Sequence, residues 1–178
     1  MIWIGTLRIL AISLLFIQTW PVKAYCLTGQ ASTLSSSFEG SWRLNRNRSE
    51  DLSGGLTGAD YGIEVSRSGN ELTVEERITI RGRRHPSQPT VYRLDGTETT
   101  GEVSRPIAGT VELQARMLDK GRQIELKSTI SGDNQGEVIT LITREFWELI
   151  DNDRTLKITR SRDYGDKSTQ SVLIFERR

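Results

Sequence analysis

From residue 61 onward, aliphatic residues recur at every second position, and short turns rich in Gly, Asp and Asn interrupt them almost to the end of the chain. Leu72, Val74, Ile78 and Ile80 fall on one face of such a run, while Glu71, Thr73, Glu75, Arg77 and Thr79 fall on the other. A period of two marks a half-buried β-strand, because successive side chains point to opposite faces of the sheet. The same period returns in Val111, Leu113, Ala115 and Met117, in Ile124, Leu126 and Ile130, and in Leu156 with Ile158.

The spacing predicts strands at 38–44, 61–66, 71–80, 90–94, 110–118, 122–130, 137–149, 155–162 and 168–176, with 97–103 as one more. Ser68-Gly69-Asn70, Asp95-Gly96, Asp119-Lys120-Gly121 and Tyr164-Gly165-Asp166 read as hairpin connectors. No helical period follows the amino-terminal segment. The expected fold is therefore all-β, a single antiparallel up-and-down meander of about 8–10 strands, enough to close a barrel. A β-sandwich or an open curled sheet is the alternative.

Two stretches break the pattern. Over 137–149, Val138, Ile142 and Phe146 share one face while Ile139, Leu141, Trp147 and Leu149 share the other. A long strand that is apolar on both sides is expected to bend, to carry a bulge or to be covered outside. The loop 45–60 carries Gly54, Gly55 and Gly58 among charged residues, so it is expected to be mobile or to form a lid over one end of the sheet.

The amino terminus is of another kind. Residues 1–24 contain Arg8, an apolar stretch over 9–17, Pro21 and a small residue at Ala24, the composition of a helical signal peptide cut after Ala24. The apolar stretch is shorter than the roughly 20 residues that span a bilayer. Taking 1–20 as one segment leaves an uncleaved membrane anchor as an alternative. Cys26, the single cysteine, raises lipidation as another, although Tyr25 stands where a lipoprotein signal wants a small residue. The expected organisation is a signal peptide at 1–24, a flexible Ser/Thr-rich tether at 25–37 and one barrel domain at 38–178, exported to the periplasm or medium. A lone cysteine forms no internal disulfide, so the hydrophobic core must hold the fold.

Charge changes this picture little. The chain has 24 basic and 23 acidic residues, and the leader removes Arg8 and Lys23, leaving 22 against 23, a net of −1. No global field favours nucleic acid or an anionic membrane. The basic cluster from Arg81 to Arg84 reads as a solvated hairpin tip.

The run Phe38-Glu39-Gly40-Ser41-Trp42-Arg43-Leu44-Asn45 resembles the Gly-x-Trp opening strand of lipocalin-like proteins. It is more closely similar to exported bacterial β-proteins that open Phe-x-Gly-x-Trp-x-Leu-Asn and end in paired strands of the type found here in Phe146-Trp147-Glu148-Leu149 and Thr155-Leu156-Lys157-Ile158-Thr159-Arg160. The resemblance spans about residues 38–176. It implies a lipocalin-like barrel, in a group mostly without assigned activity. It also implies that Trp42 closes the barrel floor under a late arginine, for which Arg160, Arg162 and Arg177 are candidates; a core tryptophan without a charged partner is the plainer reading.

The inventory for catalysis is thin. His85 is the only histidine and lies among arginines and prolines in the loop 81–89, so a histidine-based triad or a zinc site lacks its parts. No phosphate loop or nucleotide motif is present, and no cofactor or metal is implied. Most carboxylates sit on polar faces opposite Arg116, Lys127 or Lys157. Glu76 and Arg160 differ, because each falls in phase with aliphatic residues and could give an apolar cavity its polar anchors. Strand-end positions that reach water are the alternative for both.

The expected function is thus a non-catalytic exported module holding an apolar or amphipathic small ligand inside the barrel, with the loop 45–60 gating its mouth. A structural or interaction protein of the cell envelope with a filled barrel is the alternative, and an enzyme the third reading. Cavity volume separates the first two, since a small-molecule pocket needs roughly 300 Å³ or more.

Overall fold

The computed structural model describes residues 37–52, 54–134 and 136–178. The leader, Cys26 and most of the tether lie outside the described residues. Eleven strands follow in chain order: β1 (Gly40–Leu44), β2 (Ala59–Ser68), β3 (Glu71–Ile80), β4 (Arg83–Arg84), β5 (Thr90–Arg93), β6 (Thr99–Val103), β7 (Gly109–Leu118), β8 (Gln123–Asn134), β9 (Glu137–Ile150), β10 (Thr155–Tyr164) and β11 (Lys167–Arg177). They pair antiparallel in one sheet of order β4-β3-β2-β1-β11-β10-β9-β8-β7-β6, with β5 also on β3. One sheet, not two, sets the sandwich aside. The eleventh strand is β4, whose two residues are too few to show a period.

The hydrogen-bonded ladder does not close on itself. At one end of the domain, just past β5, Asp95 forms a single antiparallel bridge with Arg116 of β7. The Gly96 N–H donates to the Ala115 carbonyl at 2.9 Å, and the Met117 N–H to the Leu94 carbonyl at 3.4 Å. Beyond this seam β5 pairs with β3 and β6 with β7, so the wall is open between them.

Cross-strand partners share a face, so the register sorts the inner surface into rows. At the floor, Leu149, Leu156, Phe175 and Leu44 stand side by side. The next row is Ile124, Trp147, Ile158 and Leu173, each at most 1% exposed. Above it lie Leu126, Glu145, Arg160 and Ser171. The upper rows hold Ser128, Thr143 and Arg162, then Ile130 and Leu141, and are half-buried or exposed. The core therefore fills the lower half and thins towards the mouth.

The strand β9 keeps its register with β8 and β10 without a slip, so it carries no bulge. Its outward Ile142 and Phe146 are half-buried beside Thr129, Asp163, Glu125 and Thr159 of the neighbouring strands, while Val138 is 80% exposed.

The connection from β1 to β2 is pinned along β11. The Asn45 and Glu50 N–H groups donate to the Ile174 and Val172 carbonyls at 2.7 and 2.8 Å, and the Ile174 N–H donates to Ser49 Oγ at 2.9 Å. Leu52 and Leu56 pack on the core. These contacts lay residues 45–50 along β11 rather than across an end of the sheet.

Candidate functional site

β10 must place Leu156 and Ile158 inward to build the core, and strict alternation then carries Arg160 inward as well. The guanidinium is 5% exposed. Such burial is costly unless the charge is paired and its N–H groups are satisfied. Arg160 Nε donates to Glu145 Oε1 at 2.6 Å, and Nη2 donates to the Tyr61 hydroxyl at 3.3 Å. Nη2 also lies 3.6 Å from Glu76 Oε1.

Each partner arrives by the same alternation. Glu145 faces Arg160 directly across the β9–β10 ladder. Its second oxygen accepts the Trp147 indole N–H at 2.7 Å, so both carboxylate oxygens are engaged. Tyr61 and Glu76 come from the opposite wall, on β2 and β3, and the Tyr61 hydroxyl donates to Glu76 Oε1 at 2.7 Å. The two residues that sequence reasoning singled out as polar anchors thus meet inside the barrel, Glu76 45% and Arg160 5% exposed along their side chains.

Electrostatics follow from burial and these contacts. Burial works against the charge of Arg160 but is outweighed by Glu145, then Tyr61 and Glu76, so its pKa rises and it stays cationic. Burial, reinforced by Glu76, raises the Tyr61 hydroxyl well above its ordinary range. Burial, reinforced by Glu145, does the same for Tyr92. Both phenols remain protonated donors.

The cluster borders a cavity of about 60 Å³ whose lining includes Tyr61, Glu76, Tyr92, Glu145, Trp147 and Arg160. That is room for roughly four waters, well short of the roughly 300 Å³ expected for a whole small molecule. The lower barrel is accordingly filled by its own side chains. Arg160, Glu76 and Tyr92 thus bring polar atoms to the cavity wall, and none of these atoms is buried without a partner among the described residues.

Trp42 is 1% exposed, with its indole N–H donated to the Phe38 carbonyl at 2.8 Å. The arginine over its ring is Arg177, 4.2 Å from the centroid. Arg160 and Arg162, the other two candidates, are elsewhere: Arg160 in the polar row and Arg162 exposed one inward position above it. His85 is exposed, its backbone N–H bonded to the Ile78 carbonyl at 2.8 Å. Among the described residues no group of three His, Cys, Asp or Glu is arranged to hold a metal.

Sequence reasoning missed Glu145, Tyr61 and Tyr92. Glu145 shares its phase with Trp147 and Leu149, the same signal that exposed Glu76 and Arg160, but it was hidden in a strand that is apolar on both faces. Tyr61 and Tyr92 fall in phase with core residues and carry no mark distinguishing them from packing aromatics.

No family model matches the chain, and no curated protein matches it. Among solved structures the chain is similar to lipid binding protein 8 of Caenorhabditis elegans, at 11% identity and a TM-score of 0.51, over 82% of this chain and 98% of that one. It is also similar to a fatty acid-binding protein from Drosophila melanogaster brain tissue, at 20% identity and a TM-score of 0.49, over 79% and 99% of the two chains. An abundant heat soluble protein of Ramazzottius varieornatus has 13% identity and a TM-score of 0.49, over 81% and 96%. At these identities the likeness to lipid binding protein 8 establishes one thing, an all-β fold built as a single curled antiparallel meander.

Proposed function

We propose that this protein is an exported, non-catalytic binding module for one small amphipathic molecule. Its polar end enters the cavity beside Arg160, and its apolar part lies on the half-buried inner face above, against Ile78, Ile130 and Leu141. The observation that carries the reading is the Arg160 cluster itself. A buried ion pair is rarely the most stable way to fill a core, and apolar residues of similar volume often do better. A charged row facing a small cavity lined by both polar and apolar side chains is the arrangement expected of a site that orients a ligand. The proposal rests on that row and not on the shared fold.

One observation favours a second reading. A cavity of about 60 Å³ fits a barrel filled by its own side chains, acting through its surface as an interaction protein of the cell envelope. The two readings differ in what stays bound. Native mass spectrometry of the protein purified from its own host is expected to show one co-purified small molecule per chain, lost in Arg160→Met. A uniformly unliganded protein favours the filled barrel.

A further inference from the structure

The charges around the cavity restrict the polar end of such a ligand. Glu145 neutralises Arg160 at 2.6 Å, and its second oxygen is occupied by Trp147. Glu76 then adds a second carboxylate, so the lining residues carry a net charge of −1, while Arg162 stands just above the lining, within electrostatic reach of Glu76 and Glu145. The two contacts of Glu76, with Tyr61 at 2.7 Å and with Arg160 Nη2 at 3.6 Å, both fall on Oε1. Oε2 is left as an acceptor facing the cavity, and the guanidinium and Tyr92 hydroxyl bring donors to the same wall.

We propose that this site takes a neutral head that both donates and accepts hydrogen bonds, such as a primary amide or a hydroxyl, and rejects ionised carboxylates. The inference rests on the binding reading above. An anionic head would share the cavity with the Glu76 carboxylate, and the two like charges would repel at close range, only partly screened by water. An ammonium head would be drawn to Glu76 but would have no lone pair to accept from the Arg160 or Tyr92 donors, so the desolvation of its three N–H groups would be only partly offset. A neutral head avoids both conflicts: its carbonyl or hydroxyl oxygen accepts from Arg160 or the Tyr92 hydroxyl, and its N–H or O–H donates to Glu76 Oε2. The volume agrees, because about 60 Å³ admits a head of a few heavy atoms and nothing larger. Glu76 is then the specificity-determining residue, holding the place a ligand carboxylate would otherwise take on Arg160.

The test uses three probes with one tail, decanamide, decanoate and decylammonium, titrated calorimetrically into the mature protein at neutral pH. Decanamide is expected to bind about tenfold or more tightly than either charged probe, a gap of about 1.4 kcal/mol. In Glu76→Gln, decanoate affinity is expected to rise several-fold while that of decanamide changes less than decanoate's. Glu76 is 45% exposed along its side chain, so the variant should fold. A smaller gap, a reversed order or an unchanged decanoate affinity in Glu76→Gln overturns the neutral-head inference while leaving the binding reading intact. If none of the three probes binds, the binding reading itself fails.

Discussion

Arg177 lies over the Trp42 indole, its guanidinium carbon 4.2 Å from the ring centroid, and the two residues are also direct partners across the β1–β11 ladder. The same guanidinium donates to the carbonyls of Ser37, Glu39 and Asp153 at 2.7, 2.6 and 3.2 Å. One side chain thereby ties the first strand, the last strand and the β9–β10 turn together at the floor. Trp42→Ala removes a fully buried aromatic and should cost about 3–5 kcal/mol. Trp42→Phe should cost less, and Arg177→Ala, at an exposed cation–π contact with three carbonyl bonds, about 1–2 kcal/mol. Denaturant titration of the three variants checks the order. A Trp42→Ala midpoint equal to that of the wild type would remove the tryptophan from the floor.

The Arg160–Glu145 pair should show the asymmetry of buried charges. Arg160→Met alone, or Glu145→Gln alone, leaves a partner without its counter-charge, and each should destabilise by about 3–5 kcal/mol. The double variant should recover a large part of that loss, because neither member of the pair is left as a buried unpaired charge and Glu76, which loses Arg160 too, is half-exposed. A double-mutant cycle in urea measures the coupling, and strictly additive losses would mean that the two side chains do not depend on each other.

The seam between β5 and β7 is acid-sensitive by construction. The Thr97 backbone N–H, then the Thr97 and Arg93 side chains, hold the Asp95 carboxyl at a pKa of about 2, below its ordinary 3.8. A carboxyl depressed by folding stabilises fully above its unfolded pKa, and this contribution disappears as pH falls through the folded one. Stability should therefore drop between about pH 4 and pH 2 more steeply in the wild type than in Asp95→Asn. Equal slopes in acid unfolding would show that the carboxylate contributes nothing to closure.

The leader makes a separate prediction. If residues 1–24 act as a signal peptide, the protein is expected to begin at Tyr25 after cleavage and to be recovered from the periplasm or medium. N-terminal sequencing that finds Met1 retained in a membrane fraction would support the uncleaved anchor instead.

Much of the barrel was legible because alternation is a direct consequence of strand geometry. The run 71–80 reads as a strand with the bounds it has in β3, and the turns at 68–70, 119–121 and 164–166 fall where the hairpins are. Asp95-Gly96 is no hairpin connector: it joins β5 to β6, which pair with β3 and β7 and not with each other, because the chain crosses to β7 there. β4 was not legible, since two residues show no period. The path of the loop 45–60 was not legible either: it is set by backbone bonds to Val172 and Ile174, more than a hundred residues away. Within the site, phase alone exposed Glu76 and Arg160, but not that they meet across the barrel. That depends on curvature, which brings β2 and β3 opposite β10 and leaves no trace in either strand. The small cavity was also beyond the sequence, because the fit of side chains from several strands decides it.

The most direct measurement follows the indole N–H resonances of Trp147 and Trp42 by NMR as decanamide, decan-1-ol or decanoate is added. The Trp147 N–H donates to Glu145 beside the cavity, whereas that of Trp42 is sealed against the Phe38 carbonyl. With at least one probe, the Trp147 resonance should move saturably while that of Trp42 stays in place. If Trp147 fails to move with all three, or both resonances drift together without saturation, the barrel is filled and the Arg160 cluster is part of its core.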